Sequence, residues 1–319
     1  MRVLMNRTFT KRVRLTNYFE WWMHEYKLHT VRPVTYRKYE MTLLSLENLV
    51  PTLSLGELSY SVYQDLVNRY GEKHQMATLH TFHGHLKACL LDAMDAGLVD
   101  RRIFRHVVLH AKPNRRRHLK YLNLLDLKRL LKVLQLDDPW SLDWIYLLVA
   151  KTGLRVSEAL GLTVDDFDFN LNQLTIWRTW NYKSYTGFDL TKNSSSRRVI
   201  DIDPLTSEMF KKLIEQRSKA SFWDNELPIF VQNKRLYLST INYRLKRRCE
   251  EAGVAVISMH GLRHTHASLL IYDGVSLGSV AERLGHANTI TTQKTYVHVV
   301  KELAQRDQLK IIENMIKLS

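Results

Sequence analysis

Leu79-His80-Thr81-Phe82-His83-Gly84-His85-Leu86-Lys87-Ala88-Cys89-Leu90-Leu91-Asp92-Ala93 places Leu79, Phe82, Leu86, Leu90 and Ala93 every three or four positions. That spacing keeps one apolar face on an α-helix, and Gly97 is placed to stop it. His80, His83 and His85 fall among these apolar positions and read as a solvated or partner-facing side. Working outward toward the N-terminus, Tyr18, Phe19, Trp22, Met23 and Tyr26 make a similar stripe over residues 15 to 27. Pro33 opens a second helix through Tyr36, Tyr39, Leu43 and Leu46, which stops before Pro51. A third, near Tyr60 to Tyr70, is expected to end at Gly71 in a left-handed cap. Four helices in the first 110 residues predict a small all-helical domain over 15–110, after a basic N-terminal extension, 1–14.

Composition sets the class. The 319 residues suffice for two domains with separate cores. A hydrophobic content of 45% with only 12 Gly and 6 Pro excludes a low-complexity chain. Lys and Arg outnumber Asp and Glu by 47 to 32, a net charge of +15 that predicts a polyanionic partner. Cys89 and Cys249 lie too far apart, in helical segments, for a disulfide framework or a metal knuckle, and are expected to be reduced. Residues 1–7 carry no long apolar core of a leader, and no apolar run approaches the ~18 residues that span a bilayer. The expected location is cytoplasmic, with no membrane partner.

Between Arg101 and Lys120 there are eight Lys or Arg residues and no acid, including Arg115-Arg116-Arg117 beside Pro113. Residues 111–120 read as a basic linker between domains. The second domain, 121–319, opens with a helix from about Asn123 to Leu134 that buries Leu124, Leu127, Leu130, Leu131 and Leu134. A buried helix follows to Lys151. Leu174, Ile176 and Trp177, and the alternating Arg198-Val199-Ile200-Asp201-Ile202-Asp203, predict strands of a small antiparallel sheet. The expected fold class is therefore mainly α (α+β). After the sheet, Leu303, Leu309, Ile312, Met315 and Ile316 form an apolar stripe, suited equally to its own domain or a neighbouring subunit.

Across this second half runs an ordered series: Arg155, Lys192, His260, Arg263, His286 and Tyr296. A phenol ionises near pH ~10 and attacks poorly at neutral pH unless neighbours take its proton or stabilise its charge. Arg155 lies in Thr152-Gly153-Leu154-Arg155-Val156-Ser157-Glu158, where Gly153 ends a helix. His260-Gly261-Leu262-Arg263 sets an imidazole and a guanidinium three apart, and Leu284-Gly285-His286 follows another helix stop. The set, from about Tyr121 to Val300, resembles the tyrosine recombinase (phage integrase) family, whose signature is Arg, Lys, His-x-x-Arg, His or Trp, and Tyr in that order. Lys192 matches the family's lysine in the turn before the last strand, although Asn193 and the serine run 194–196 are unusual there and Lys183 is a nearby competitor.

The resemblance implies a helical core-binding (SAM-like) domain joined to a mostly helical catalytic domain with a C-terminal exchange helix. It implies that Tyr296 attacks a DNA phosphodiester to form a 3′-phosphotyrosine and a free 5′-hydroxyl, with no cofactor. Arg155 and Arg263 would bind phosphate oxygens bidentately, His260 and His286 would donate hydrogen bonds or assist deprotonation, and Lys192 would protonate the departing oxygen. Glu158 would orient a neighbouring arginine or histidine. The partners implied are double-stranded DNA with inverted-repeat core sites and further copies of the chain, a tetramer in the synaptic complex. DNA contacts are expected from Arg101, Arg102, Lys112, Arg115, Arg116, Arg117, Arg244 and Arg247. A type IB topoisomerase-like nicking-closing enzyme and a catalytically silent DNA-binding regulator are the competing readings. With about fourteen residues before the first helix, an additional arm-binding domain is expected to be absent or truncated. His260, His264, His266 and His286 include the i, i+4 histidine spacing of a zinc site, but no acidic or cysteine ligand completes it, so no metal is expected.

Overall fold

The structure, a computed structural model, describes residues 9–113, 121–191, 194–232, 235–296 and 316. The chain divides into two compact units, Met1–Arg116 and Arg117–Ser319.

The first unit packs four helices, α1 (Leu15–Tyr26), α2 (Pro33–Leu49), α3 (Tyr60–Lys73) and α4 (Met76–Asp95). Their apolar stripes meet in one core containing Phe19, Trp22, Leu46, Leu66, Phe82 and Leu90. Phe9, within the expected extension, joins this core and sits against Tyr18 and Trp21. Gly97, at φ 72°, closes α4 as expected.

Two expectations fail here. Helix α3 does not stop at Gly71 but runs on to Lys73. A Cβ at Gly71 would lie 1.9 Å from the carbonyl oxygen of His110, so glycine is required because a returning segment crosses the helix, not because the helix ends. That segment is tied down where Lys112 N–H donates to the Gly71 carbonyl at 2.9 Å. Nor are the α4 histidines all solvated. His83 bonds the Tyr63 hydroxyl at 2.9 Å, and His85 stacks on Tyr39 at 3.9 Å between centroids while bonding Thr42 Oγ1 at 2.9 Å. Burial first, then Lys38, lowers the His85 pKa to about 4. His80 alone of the three is exposed.

The second unit begins with α5 (Leu124–Lys132), whose first turn is capped by Asn123 Oδ1 accepting from Asp126 N–H. Leu127, Leu130 and Leu134 are buried as expected and Leu131 half-buried, but Leu124 is exposed because it falls at the first position, ahead of the buried face. Helix α6 (Asp143–Thr152) is buried on every side, and Gly153 at φ 70° ends it. The one-turn helix α7 (Val156–Ala159) follows. Strands β1 (Phe167–Asp168), β2 (Gln173–Ile176), β3 (Arg178–Trp180), β4 (Phe188–Leu190) and β5 (Arg198–Asp201) come next. They form an antiparallel sheet of order β1-β2-β5, with Leu174 facing Ile200 in the register, and a β3-β4 hairpin. The hairpin was not expected from the sequence. Helices α8 (Pro204–Arg217), α9 (Leu238–Glu251), α10 (Met259–Tyr272), α11 (Leu277–Leu284) and α12 (Thr289–Thr295) complete the unit. α10 packs along α6, and α12 follows α11 closely.

The fold is thus mainly helical with small antiparallel sheets. Among the described residues no helix is long and apolar enough to cross a membrane. Cys89 and Cys249 are buried free thiols. Of the C-terminal stripe, Leu303, Leu309, Ile312 and Met315 lie outside the described residues, and Ile316 is exposed.

Candidate active site

Glu158, in α7 and 1% exposed, is the centre of the polar cluster in the second unit. Its Oε1 accepts from Arg155 Nη1 at 2.6 Å, and its Oε2 accepts from Arg198 Nη2 at 3.0 Å. Arg263 Nη1 lies 3.8 Å from Oε2. Burial opposes charge on this carboxyl, but Arg198, Arg155 and Arg263 together hold it below the usual carboxylate range. One buried carboxylate therefore partners three guanidinium groups.

The C-terminus of α11 supplies the second half of the clamp. Its last carbonyls have no intrahelical donor and carry the negative end of the helix dipole. The Arg283 carbonyl accepts from Arg198 Nε at 2.7 Å, the Leu284 carbonyl from Arg263 Nη2 at 2.7 Å, and the Gly285 carbonyl from Arg155 Nη2 at 3.0 Å. Gly285 must be glycine twice over, since φ is 65° and a Cβ would sit 2.8 Å from Arg198 Nη1. Arg263 also donates to the Gly153 carbonyl at 2.7 Å, so both helix stops read in the sequence end up holding arginines. Arg263 is 3% exposed; burial and then Arg155 press its pKa down while Glu158 resists, and it stays protonated at neutral pH. Arg155 remains part-exposed, with 37% of its side chain open to solvent.

His286 lies next to this cluster. Arg263 Nη2 is 3.2 Å from its Nε2, and its Nδ1 is 2.7 Å from Thr292 Oγ1. Because guanidinium can only donate, Nε2 is the acceptor and the ring proton resides on Nδ1, pointing to Thr292. Burial, then Arg263, Arg155 and Arg198, lowers the His286 pKa to about 4, so the ring is neutral at working pH.

Tyr296 caps the C-terminus of α12, whose first turn is held by Asn288 Oδ1 accepting from Thr291 N–H. The ring is 2% exposed and packs with Ala267, Ile271, Val280 and Leu284. Its hydroxyl is 3.0 Å from Nδ1 of His264. Burial lifts the phenol pKa to about 12, with the charge of Arg263 acting in the opposite direction. This hydroxyl is protonated at neutral pH and requires a proton acceptor before it can attack.

Arg155, Glu158, Arg263 and His286 thus belong to one cluster of hydrogen bonds and ion pairs, and Tyr296 lies on elements packed against it. His260, on the first turn of α10, is exposed, with its ring 4.3 Å between centroids from His264. Although His260 and Arg263 lie three apart on α10, one is exposed and the other buried. Lys192 lies outside the described residues, while its competitor Lys183 is exposed in the β3-β4 turn. Arg115, Arg116 and Arg117 also lie outside them, as does the side chain of Arg101. Arg102 is exposed and paired with Asp100 at 2.8 Å; Lys112, Arg244 and Arg247 are exposed.

Sequence reasoning missed Arg198 and His264. Arg198 reads as one polar position of an alternating strand; its position just after the candidate lysine was the available signal. His264 figured only in a zinc pattern. His266 is occupied otherwise, between the Ala150 carbonyl at 2.9 Å and Arg283 Nε at 3.0 Å. Among the described residues no group of three or more His, Cys, Asp or Glu side chains is gathered as a metal ion would need.

The pattern of the phage integrase family matches residues 120–302. The integrase of Staphylococcus phage L54a is 32% identical over 176 residues, which cover 51% of this chain and 49% of that protein. A tyrosine recombinase XerC-like protein of Caldanaerobacter subterraneus subsp. tengcongensis is 25% identical over 316 residues, 90% of this chain and 80% of that one. The alignment thus spans about half the length of the phage relative and most of the second. Among solved structures, the Tn1549 transposon integrase in complex with transposon right end DNA superposes with a TM-score of 0.74 at 17% identity, covering 92% of this chain and 99% of that one. A lambda integrase dimer bound to a COC′ core site gives a TM-score of 0.67 at 16% identity, covering 89% and 77%. At such identities the structural likeness speaks for the fold.

Proposed function

The chain belongs to the phage integrase family, whose pattern covers more than half of its length, and from that premise we propose that it is a site-specific DNA recombinase acting through a 3′-phosphotyrosine on Tyr296. The observation that carries the reading is the clamp of Arg155, Arg198 and Arg263 around Glu158, with the ring of Tyr296 packed with Leu284, whose carbonyl accepts from Arg263. Attack on a phosphodiester builds negative charge on the phosphoryl oxygens, and fixed guanidinium groups stabilise it without reorganising. Arg155, part-exposed, and Arg263 are the phosphate-binding pair. Arg198 and Glu158 hold them in place. His260 and His286 act as hydrogen-bond donors to the phosphate, His286 after exchanging its contact with Arg263 for one to substrate and shifting its ring proton from Nδ1 to Nε2, with the Thr292 hydroxyl then donating to Nδ1. Lys192 is the acid for the departing 5′-oxygen.

In this reading the first unit is the core-binding domain, residues 111–120 form a basic linker, and the second unit is catalytic. The substrate is duplex DNA with inverted-repeat core sites, and four copies assemble at synapsis, linked by the C-terminal segment. The cytoplasm is the proposed compartment, where such DNA resides. The phosphotyrosine bond conserves the energy of the phosphodiester, so rejoining needs no nucleotide cofactor.

The test starts by selecting the DNA site from a random duplex library through covalent trapping by wild type. On a nicked suicide substrate carrying that site, wild type accumulates a covalent adduct, in EDTA as well as in its absence. Tyr296→Phe binds the same DNA with an affinity close to wild type and forms none. An adduct from Tyr296→Phe would falsify the assignment.

A further inference from the structure

We propose that His264, rather than His260, is the group that takes the proton from Tyr296 when its hydroxyl attacks DNA. The inference rests on the recombinase reading and goes beyond it by naming the base.

Three observations carry it. First, among the described residues His264 Nδ1 is the hydrogen-bond partner of Tyr296 Oη, at 3.0 Å, within the reach a general base needs before substrate arrives. Second, the phenol is buried to 2% exposure among Ala267, Ile271, Val280 and Leu284, so bulk water does not have free access to its proton. Third, His260 stands one turn earlier on α10 with its ring against that of His264, at 4.3 Å between centroids, while the Tyr296 ring packs on His264 itself, at 5.4 Å. Helix α10 therefore delivers different tasks at successive positions. Arg263 is aimed into the Glu158 clamp and His264 at the nucleophile.

The step balances as follows. Oη forms a bond to phosphorus as the bond from phosphorus to the 5′-oxygen breaks. The phenolic proton passes to Nδ1 of His264, which needs its lone pair on that nitrogen and its own proton on Nε2. The 5′-oxygen leaves with a proton from the acid assigned to Lys192. In strand joining the incoming 5′-hydroxyl returns its proton to the lysine, and His264 gives its proton back to the departing phenol. No oxidant, metal or nucleotide enters.

The experiment measures single-turnover cleavage of the selected suicide substrate by wild type, His264→Asn and His264→Ala, each first shown to bind the DNA. Asparagine can accept a hydrogen bond near the position of Nδ1 but cannot take a proton, so it keeps the test valid if alanine unsettles the packing. Both variants are expected to cleave about 10²-fold or more slowly, the usual worth of a general base. Replacing Tyr296 with 3,5-difluorotyrosine, whose phenol ionises far more readily, should shrink the His264→Asn defect to less than about tenfold, because an already acidic nucleophile has less need of a base. A defect in His264→Asn that fluorotyrosine does not relieve makes the ring a packing element and overturns the inference. Wild-type cleavage rates in His264→Asn overturn it too. If wild type itself forms no adduct at Tyr296, the recombinase reading falls and the inference with it; an adduct from wild type with an unimpaired His264→Asn sinks the inference alone.

Discussion

Glu158 shows what a single residue does here. Three guanidinium groups converge on it, and each would repel the others if the carboxylate were neutral. Removing one partner of a buried ion pair costs roughly 3–5 kcal/mol because the remaining charge is stranded. Glu158→Gln, almost the same shape, is therefore expected to lower the melting temperature markedly and to slow cleavage more than it weakens DNA binding. The pH dependence gives a second check with a definite sign. The folded-state pKa of Glu158 is depressed, so its contribution is full above the unfolded carboxyl's value and disappears as pH falls through the depressed one. Thermal melts between pH 7 and 3 should show a shallower acid loss in Glu158→Gln than in wild type. An identical acid limb in the two proteins would remove the carboxylate from this role.

At the scale of elements, glycine separates what could be read from sequence from what could not. Gly97, Gly153 and Gly285 were legible as helix stops, since each follows a periodic apolar run and takes a positive φ. Gly71 carried the same local signal but a different cause, the crossing of the His110 segment, which no local pattern reveals. Substitution at Gly71 and Gly84, both inside helices, should therefore move stability in opposite directions. Gly71→Ala meets the His110 carbonyl and is expected to destabilise by about 1–3 kcal/mol. Gly84→Ala meets nothing within 4 Å and should stabilise α4 by roughly 0.5–1 kcal/mol. Urea melts of the two variants against wild type provide the check; a loss in both would mean that helix α4 contacts something at Gly84. The same division holds at the candidate site. Arg155, Arg263, His286 and Tyr296 were legible because each sits in a short motif. Arg198 was not, because its partner, the Arg283 carbonyl, is 85 positions away and belongs to the end of another helix. His264 was not, because only the packing of α12 onto α10 and α11 brings a phenol to its ring. The β3-β4 hairpin escaped because its strands are three residues each, too short for alternation to register.

For the whole molecule the net charge of +15 is the property that matters most for DNA. A protein that neutralises phosphates releases their counterions, so the logarithm of affinity falls linearly with the logarithm of salt concentration, with a slope of about −0.9 per phosphate contacted. An enzyme that tracks a core site with both units should make six or more such contacts and lose on the order of 10³-fold in affinity between 50 and 200 mM salt. The basic stretch between the units then has a specific signature. Arg115, Arg116 and Arg117, if they lie on phosphates, each contribute about 1 to that slope and little to the choice of sequence. Replacing all three with alanine should weaken binding to selected and unselected DNA by similar factors and flatten the salt plot by about 3. Arg244 and Arg247, exposed on α9, make a parallel pair for comparison. Fluorescence anisotropy titrations at four or five salt concentrations measure these slopes directly. An unchanged slope in the triple variant would show that the linker's charge is solvated rather than bound, and would leave the phosphate contacts to the surfaces of the two units.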